Sequence, residues 1–183
     1  MTSRRSPFAS VACIFACFAL ALALAGTGRA ARAQDQSADT PKDKIFARKI
    51  LMVTIDRNMD ALEQMVRSGK PIDFDDASEH ADTISVMLMA FPHLFPPSTD
   101  QWRPNVDLDP GRDTSASPEL WTEFADFYRQ AAAASQLAEA ASRTSAEPDF
   151  KTTMADLRVA CDSCHARFLK VDRTWVDPFP PAH

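Results

Sequence analysis

Four stretches of this chain carry apolar residues in steps of three and four, and no glycine falls inside any of them. Such steps place side chains on one face of an α-helix, so the pattern confines the fold to packed helices. The first stretch runs from Lys42 to about Arg67, with Ile45, Met52, Ile55, Met59, Leu62 and Val66 on its stripe. Pro41 sits where a helix can begin, and Ser68-Gly69-Lys70-Pro71 stops it. The second runs from about Phe74 to Phe91, with Ala77, Ala81, Ile84, Leu88 and Phe91 in register. Ser117-Pro118-Glu119 predicts the start of the third, with Ser117 as N-cap. Its stripe is Leu120, Phe124, Phe127, Ala131, Ala134, Ala138 and Ala141. The fourth follows Pro148 and carries Phe150, Met154, Leu157, Cys161, Cys164 and Phe168.

No stretch alternates with period two, so the predicted fold is all-α, an antiparallel up-down four-helix bundle. Short turns join the first pair and the last pair. Pro92, Pro96, Pro97, Pro104 and Pro110 make the link between the two hairpins long and irregular, with Leu94, Phe95 and Trp102 as its expected anchors. The alanine-rich third stripe lets a neighbouring helix approach closely.

The N-terminus has a different character. Arg4 and Arg5 precede an apolar run from Phe8 to Ala25, and the small-x-small sequence Ala31-Arg32-Ala33 follows. This is the layout of a secretory signal, predicting cleavage after Ala33 and a domain over 34–183 with no membrane span after cleavage. An uncleaved anchor is the competing reading, because the apolar run approaches bilayer length. The mature domain would open on a polar segment, 34–40, and close on a Pro-rich tail, 172–183. The whole chain has a formal charge of −5. The leader holds four arginines and no acids, so 16 basic and 25 acidic residues remain, a formal −9. That balance argues against nucleic acid, whose phosphates need a basic surface.

Cys13 and Cys17 lie in the leader, leaving Cys161 and Cys164 in an exported and oxidising compartment. Together with His165 they form C-x-x-C-H, the attachment signature of c-type haem. Residues three and four apart share a helix face, so both thiols can form thioethers with haem vinyl groups while His165 presents a nitrogen to iron. One covalent haem c per chain is therefore expected. A redox dithiol would normally sit at a strand–helix junction, which is missing here. A zinc site needs four ligands, and His80 and His93 offer no second ligand spacing. A disulfide across three helical residues would be strained. No nucleophile, base and oxyanion donors are grouped to suggest hydrolytic or group-transfer catalysis.

The motif lies near the C-terminus of a four-helix chain, and other residues join it. Arg48, Met52 and Asn58-Met59 stand in the first helix, Phe95-Pro96-Pro97 follow the second, and Pro118-Glu119-Leu120-Trp121 with Phe127 open the third. With Cys161 to His165 and Phe168, these positions over 41–171 resemble the cytochrome c prime family, including its low-spin relatives. The family commonly has a basic residue four after the haem histidine; here it is Leu169, with Arg167 and Lys170 nearby.

The resemblance implies that the first helix faces the fourth, with Met52 over the distal side of the iron. Met52 ligation would make a low-spin electron carrier of raised potential. Left unligated, Met52 would cover a five-coordinate iron open to small gases such as NO and CO. The resemblance further implies Arg48 as a haem propionate partner and Phe124, Phe127 and Phe168 as apolar walls. The leader predicts a periplasmic location, and the resemblance implies redox partner proteins and a homodimer through the first two helices, where Leu51 and Met65 could serve as outer apolar contacts or could equally pack internally. The acidic surface suits a partner with a basic face.

Overall fold

The computed structural model describes residues 40–104, 109 and 111–170. The leader, most of the polar segment and the tail lie outside the described residues. Helix α1 spans Pro41–Arg67, α2 Phe74–Ala90, α3 Glu119–Thr122, α4 Phe124–Ser142 and α5 Glu147–Phe168. Two 3₁₀ turns, Phe91–Leu94 and Pro97–Thr99, follow α2.

The helix starts follow local chemistry. Thr40 caps α1 in a reciprocal box: the Asp43 amide donates to Thr40 Oγ1, and the Thr40 amide donates to Asp43 Oδ2 at 3.1 Å. Asp73 caps α2 by accepting from the Asp75 and Asp76 amides. Gly69, just past the end of α1, adopts φ +66°, a left-handed turn that favours glycine.

The stripes pack as expected. Ala77, Ala81, Ile84, Leu88 and Phe91 are all buried, as are Phe150, Met154 and Leu157. Phe150 is fully enclosed and meets Phe74 edge-on at 5.9 Å. Its truncation to alanine would cost about 3–5 kcal/mol. The alanines of α4 allow tight packing on α2. At that seam the Ser135 hydroxyl donates to the Ser85 carbonyl at 2.9 Å, which leaves the Ser85 hydroxyl to donate to Ser135 Oγ at 3.1 Å. Leu51 and Met65 are half-buried and pack against the apolar clusters of their own chain.

The third helical stretch departs from the expected single helix. At Glu123 the backbone leaves the helical region (φ −116°, ψ 31°), which separates α3 from α4. The stripe therefore loses register across the break. Leu120 and Phe127 are buried, whereas Phe124 is 37% exposed. Ser117 does not cap this helix. Its amide donates to the Phe168 carbonyl at 2.9 Å, beside an antiparallel bridge between Ala116 and Leu169. The Lys170 amide in turn donates to the Ser115 carbonyl at 2.8 Å. The Pro-rich link thus ends as a strap across the C-terminal end of α5. Phe95 and Leu94 anchor it within an aromatic cluster, while Trp102 is half-buried.

Candidate functional site

Helices α2 and α4 touch along their length, but α1 and α5 make few contacts with each other. Polar ties span their gap at both ends. At one end Arg158 of α5 donates through Nε to Glu63 of α1 at 2.6 Å. At the other, Lys42 pairs with Asp113, and Arg48 donates to Thr114, so α1 holds the strap that binds α5. Between the ties lies a cavity of about 360 Å³. That volume falls within the range of small-molecule and cofactor sites, roughly 300–1,000 Å³.

The cavity divides the apolar interior in two. One cluster holds Ile55, Met59, Leu88 and Leu157; the other holds Phe91, Phe95, Leu120, Phe127 and Phe168. Met52 packs against both, from α1. Across the cavity, Cys161 packs on the first cluster and Cys164 on the second. Met52, Cys161, Cys164 and His165 all line the same space.

Burial shapes the chemistry of these groups. It pushes the Cys161 thiol up, with Arg158 opposing, and it pushes Cys164 up to about 11, helped by Cys161 and Asp126. Both cysteines are therefore neutral thiols near pH 7. His165 is exposed to solvent on the cavity wall, yet the surrounding protein lowers its pKa, with Asp162 and Asp56 opposing. A neutral imidazole is the form that can donate a nitrogen lone pair to a metal.

Arg48 is 4% exposed, and burial lowers its pKa to about 10, so it stays charged at neutral pH. Its guanidinium donates to Thr99 Oγ1 at 3.1 Å and lies 4.4 Å from the Phe95 ring centroid. No carboxylate pairs with it among the described residues. A buried cation on a cavity wall, with no carboxylate partner among the described residues, suits an acidic group on a ligand.

Phe127 and Phe168 line the cavity and meet edge-on at 5.5 Å. Phe124 does not line it. The break at Glu123 turns this ring outward, where it packs on the outer side of Phe127 at 5.9 Å. Met59 forms part of the cavity wall, while Asn58 turns away to accept a hydrogen bond from His80 at 2.7 Å. Leu169 also lines the cavity. The two nearby cations are occupied elsewhere: Arg167 pairs with Glu123 at 2.6 Å and with Asp126, and Lys170 lies 3.8 Å from Glu119. Sequence reasoning missed Thr99, Thr114 and the strap residues Ser115 and Ala116. Only the length of the Pro-rich link hinted that it had a wall to build.

The donor set (two thiols three residues apart, an adjacent imidazole, a thioether opposite and one buried cation) fits a covalent haem c, as do the apolar walls. Comparison with known proteins agrees. The family model for cytochrome c′ matches residues 43–169. Cytochrome c-556 of Agrobacterium tumefaciens (strain II Chrys) is 28% identical over 127 residues, covering 68% of this chain and 95% of the relative. The crystal structure of cytochrome c′ from Rubrivivax gelatinosus is 26% identical, with a TM-score of 0.61 over 72% of this chain and 98% of that one. The structure of oxidized cytochrome c556 from R. palustris is 25% identical, with a TM-score of 0.60 over 71% and 98%. Its helices, its α5 motif and this match across most of the described residues make the chain a member of the cytochrome c′ family, with haem c as its covalent cofactor.

Proposed function

We propose that this chain is a periplasmic one-electron carrier whose haem iron is bound by His165 and Met52. The observation that carries the reading is the placement of Met52, which faces the α5 motif across one cavity and packs against both apolar clusters. When bound, haem supplies a one-electron ferric/ferrous couple. Cys161 and Cys164 hold it by thioethers to α5. His165 offers a neutral nitrogen on one side, and Met52 offers a thioether sulfur on the other. His/Met ligation raises the potential, and apolar walls favour the less charged iron state.

Arg48 would offer its charge to a haem propionate, which would relieve the cost of its own burial. Phe127 and Phe168 keep water from the ring. The periplasmic assignment is supported by the signal-like leader, and no helix among the described residues is long and apolar enough to cross a membrane. The acidic surface suits redox partners with a basic docking face.

A second reading has Met52 as cover only, with NO or CO reaching five-coordinate iron. It is favoured by the half-buried position of Met52. The visible spectrum of Met52→Ala separates the two. A change from low spin to high spin is expected; a wild-type spectrum already high-spin, and unchanged in the variant, would sink the ligand assignment.

A further inference from the structure

Two cations besides Arg48 line the cavity, Lys49 and Arg158. Arg158 is committed to structure: its Nε and a terminal nitrogen both engage Glu63. It also stands one turn before Cys161, on the stretch of α5 where the thioethers form. Lys49 stands with Arg48, the residue before it on α1, and nothing in the electron-carrier reading uses it.

The surroundings of Lys49 link it to the strap. It is half-buried, and burial lowers its pKa, with Arg48 lowering it further and the strap carboxylates of Asp113 and Asp109 opposing. Those carboxylates have other donors. Asp113 takes Lys42 and the Asp109 amide, and Asp109 takes the Gly111 amide at 2.8 Å. Two neighbouring cations on a cavity wall each raise the cost of charging the other, and anions entering the cavity offset that cost.

Haem carries its two propionates on adjacent pyrrole rings, so the edge that enters beside Arg48 brings two carboxylates. The Arg48 guanidinium is fixed by Thr99, Thr114 and the Phe95 ring, which restricts it to one place on the wall. A lysine offers a point charge on a flexible stem, which suits a second carboxylate close by.

We propose that Lys49 is the partner of the second haem propionate, so that Arg48 and Lys49 clamp the two carboxylates side by side. Lys49 is then a positioning residue that holds the propionate edge against the strap. Its charge also favours the ferrous state, which raises the reduction potential. The inference rests on the placement of a propionate beside Arg48 in the electron-carrier reading, and it holds whether or not Met52 ligates iron.

The test uses the haem-loaded protein and three variants, Lys49→Gln, Lys49→Arg and Arg48→Gln. Resonance Raman spectra report the bending modes of the propionates, and redox titration reports the potential. Lys49→Gln should shift one propionate band and lower the potential, reducing the ferrous to ferric ratio at a fixed potential by about three-fold or more. Lys49→Arg keeps the charge and should keep the potential near that of the wild type. Lys49 is half-buried, so Lys49→Gln should fold and bind haem as the wild type does. Wild-type bands and potential in Lys49→Gln, beside a shifted band in Arg48→Gln, would overturn the proposal alone. Unshifted bands in both variants would overturn the placement of the propionate edge along with it. A potential lowered equally in Lys49→Arg would show a structural role and overturn the proposal too.

Discussion

The two long seams of this bundle solve opposite problems. Between α2 and α4 the buried residues are small: Ala77, Ala81 and Ser85 on one helix, and Ser135 and Ala138 on the other, where Ala131 and Ala134 also line the cavity. The helices close fully, and even the two hydroxyls there satisfy each other. Between α1 and α5 the facing residues are Met52, Cys161, Cys164 and His165, and the helices are held apart by ties at either end. Small residues build a closed seam; chemically active ones line a gap that the rest of the fold keeps open. Stability and function are thereby assigned to different faces of the same four helices.

The largest effect should come from the open seam. The double variant Cys161→Ser, Cys164→Ser should lose covalent haem completely. Wild-type protein denatured in acidified organic solvent should keep its haem on the chain, while the variant should release it all. Retention by the variant would refute the attachment site.

Next, the seams should respond differently to added or exchanged bulk. Ala138→Leu in the closed seam should cost about 1–3 kcal/mol in urea unfolding and leave the haem spectrum unchanged. Met52→Leu, which conserves volume in the open seam, should cost under about 1.5 kcal/mol yet change the spectrum. Equal stability losses with identical spectra would erase the distinction between the seams.

The smallest effect concerns the tie from α1 to the strap. The Lys42 hydrogen bond, with the Asp109 amide, holds the Asp113 carboxyl below its usual range. A carboxyl lowered in the folded state stabilises above its unfolded pKa, and that contribution is lost as pH falls through the folded value. Asp113→Asn should therefore cost under about 1 kcal/mol near neutral pH, the pair being partly solvent-screened. The difference from wild type should close below about pH 4, measured by thermal melts across the acid range. A difference that persists at low pH would show that the tie is not ionic.

The bundle was legible because each stripe repeats over several turns, and repetition survives local irregularity. The haem motif was legible because five adjacent residues carry the whole chemistry. Phe124 failed for a reason the stripe could not reveal. One non-helical residue, Glu123, resets the register, and its identity carries no signal for doing so. The strap was invisible for a different reason. Its bridge joins Ala116 to Leu169 through backbone groups, and backbone pairing between distant segments leaves no side-chain period to read. Arg48 was visible as a position on the Met52 face, but its buried partners Thr99 and Thr114 are set only once the Pro-rich link folds back on α1.

The central claim is that the gap between α1 and α5 exists to place a thioether opposite an imidazole. The far-red absorption of the ferric wild-type protein tests it most directly. A methionine-to-iron charge-transfer band, present in wild type and missing in Met52→Ala, is the predicted result. A high-spin ferric spectrum without that band in the wild type would contradict it.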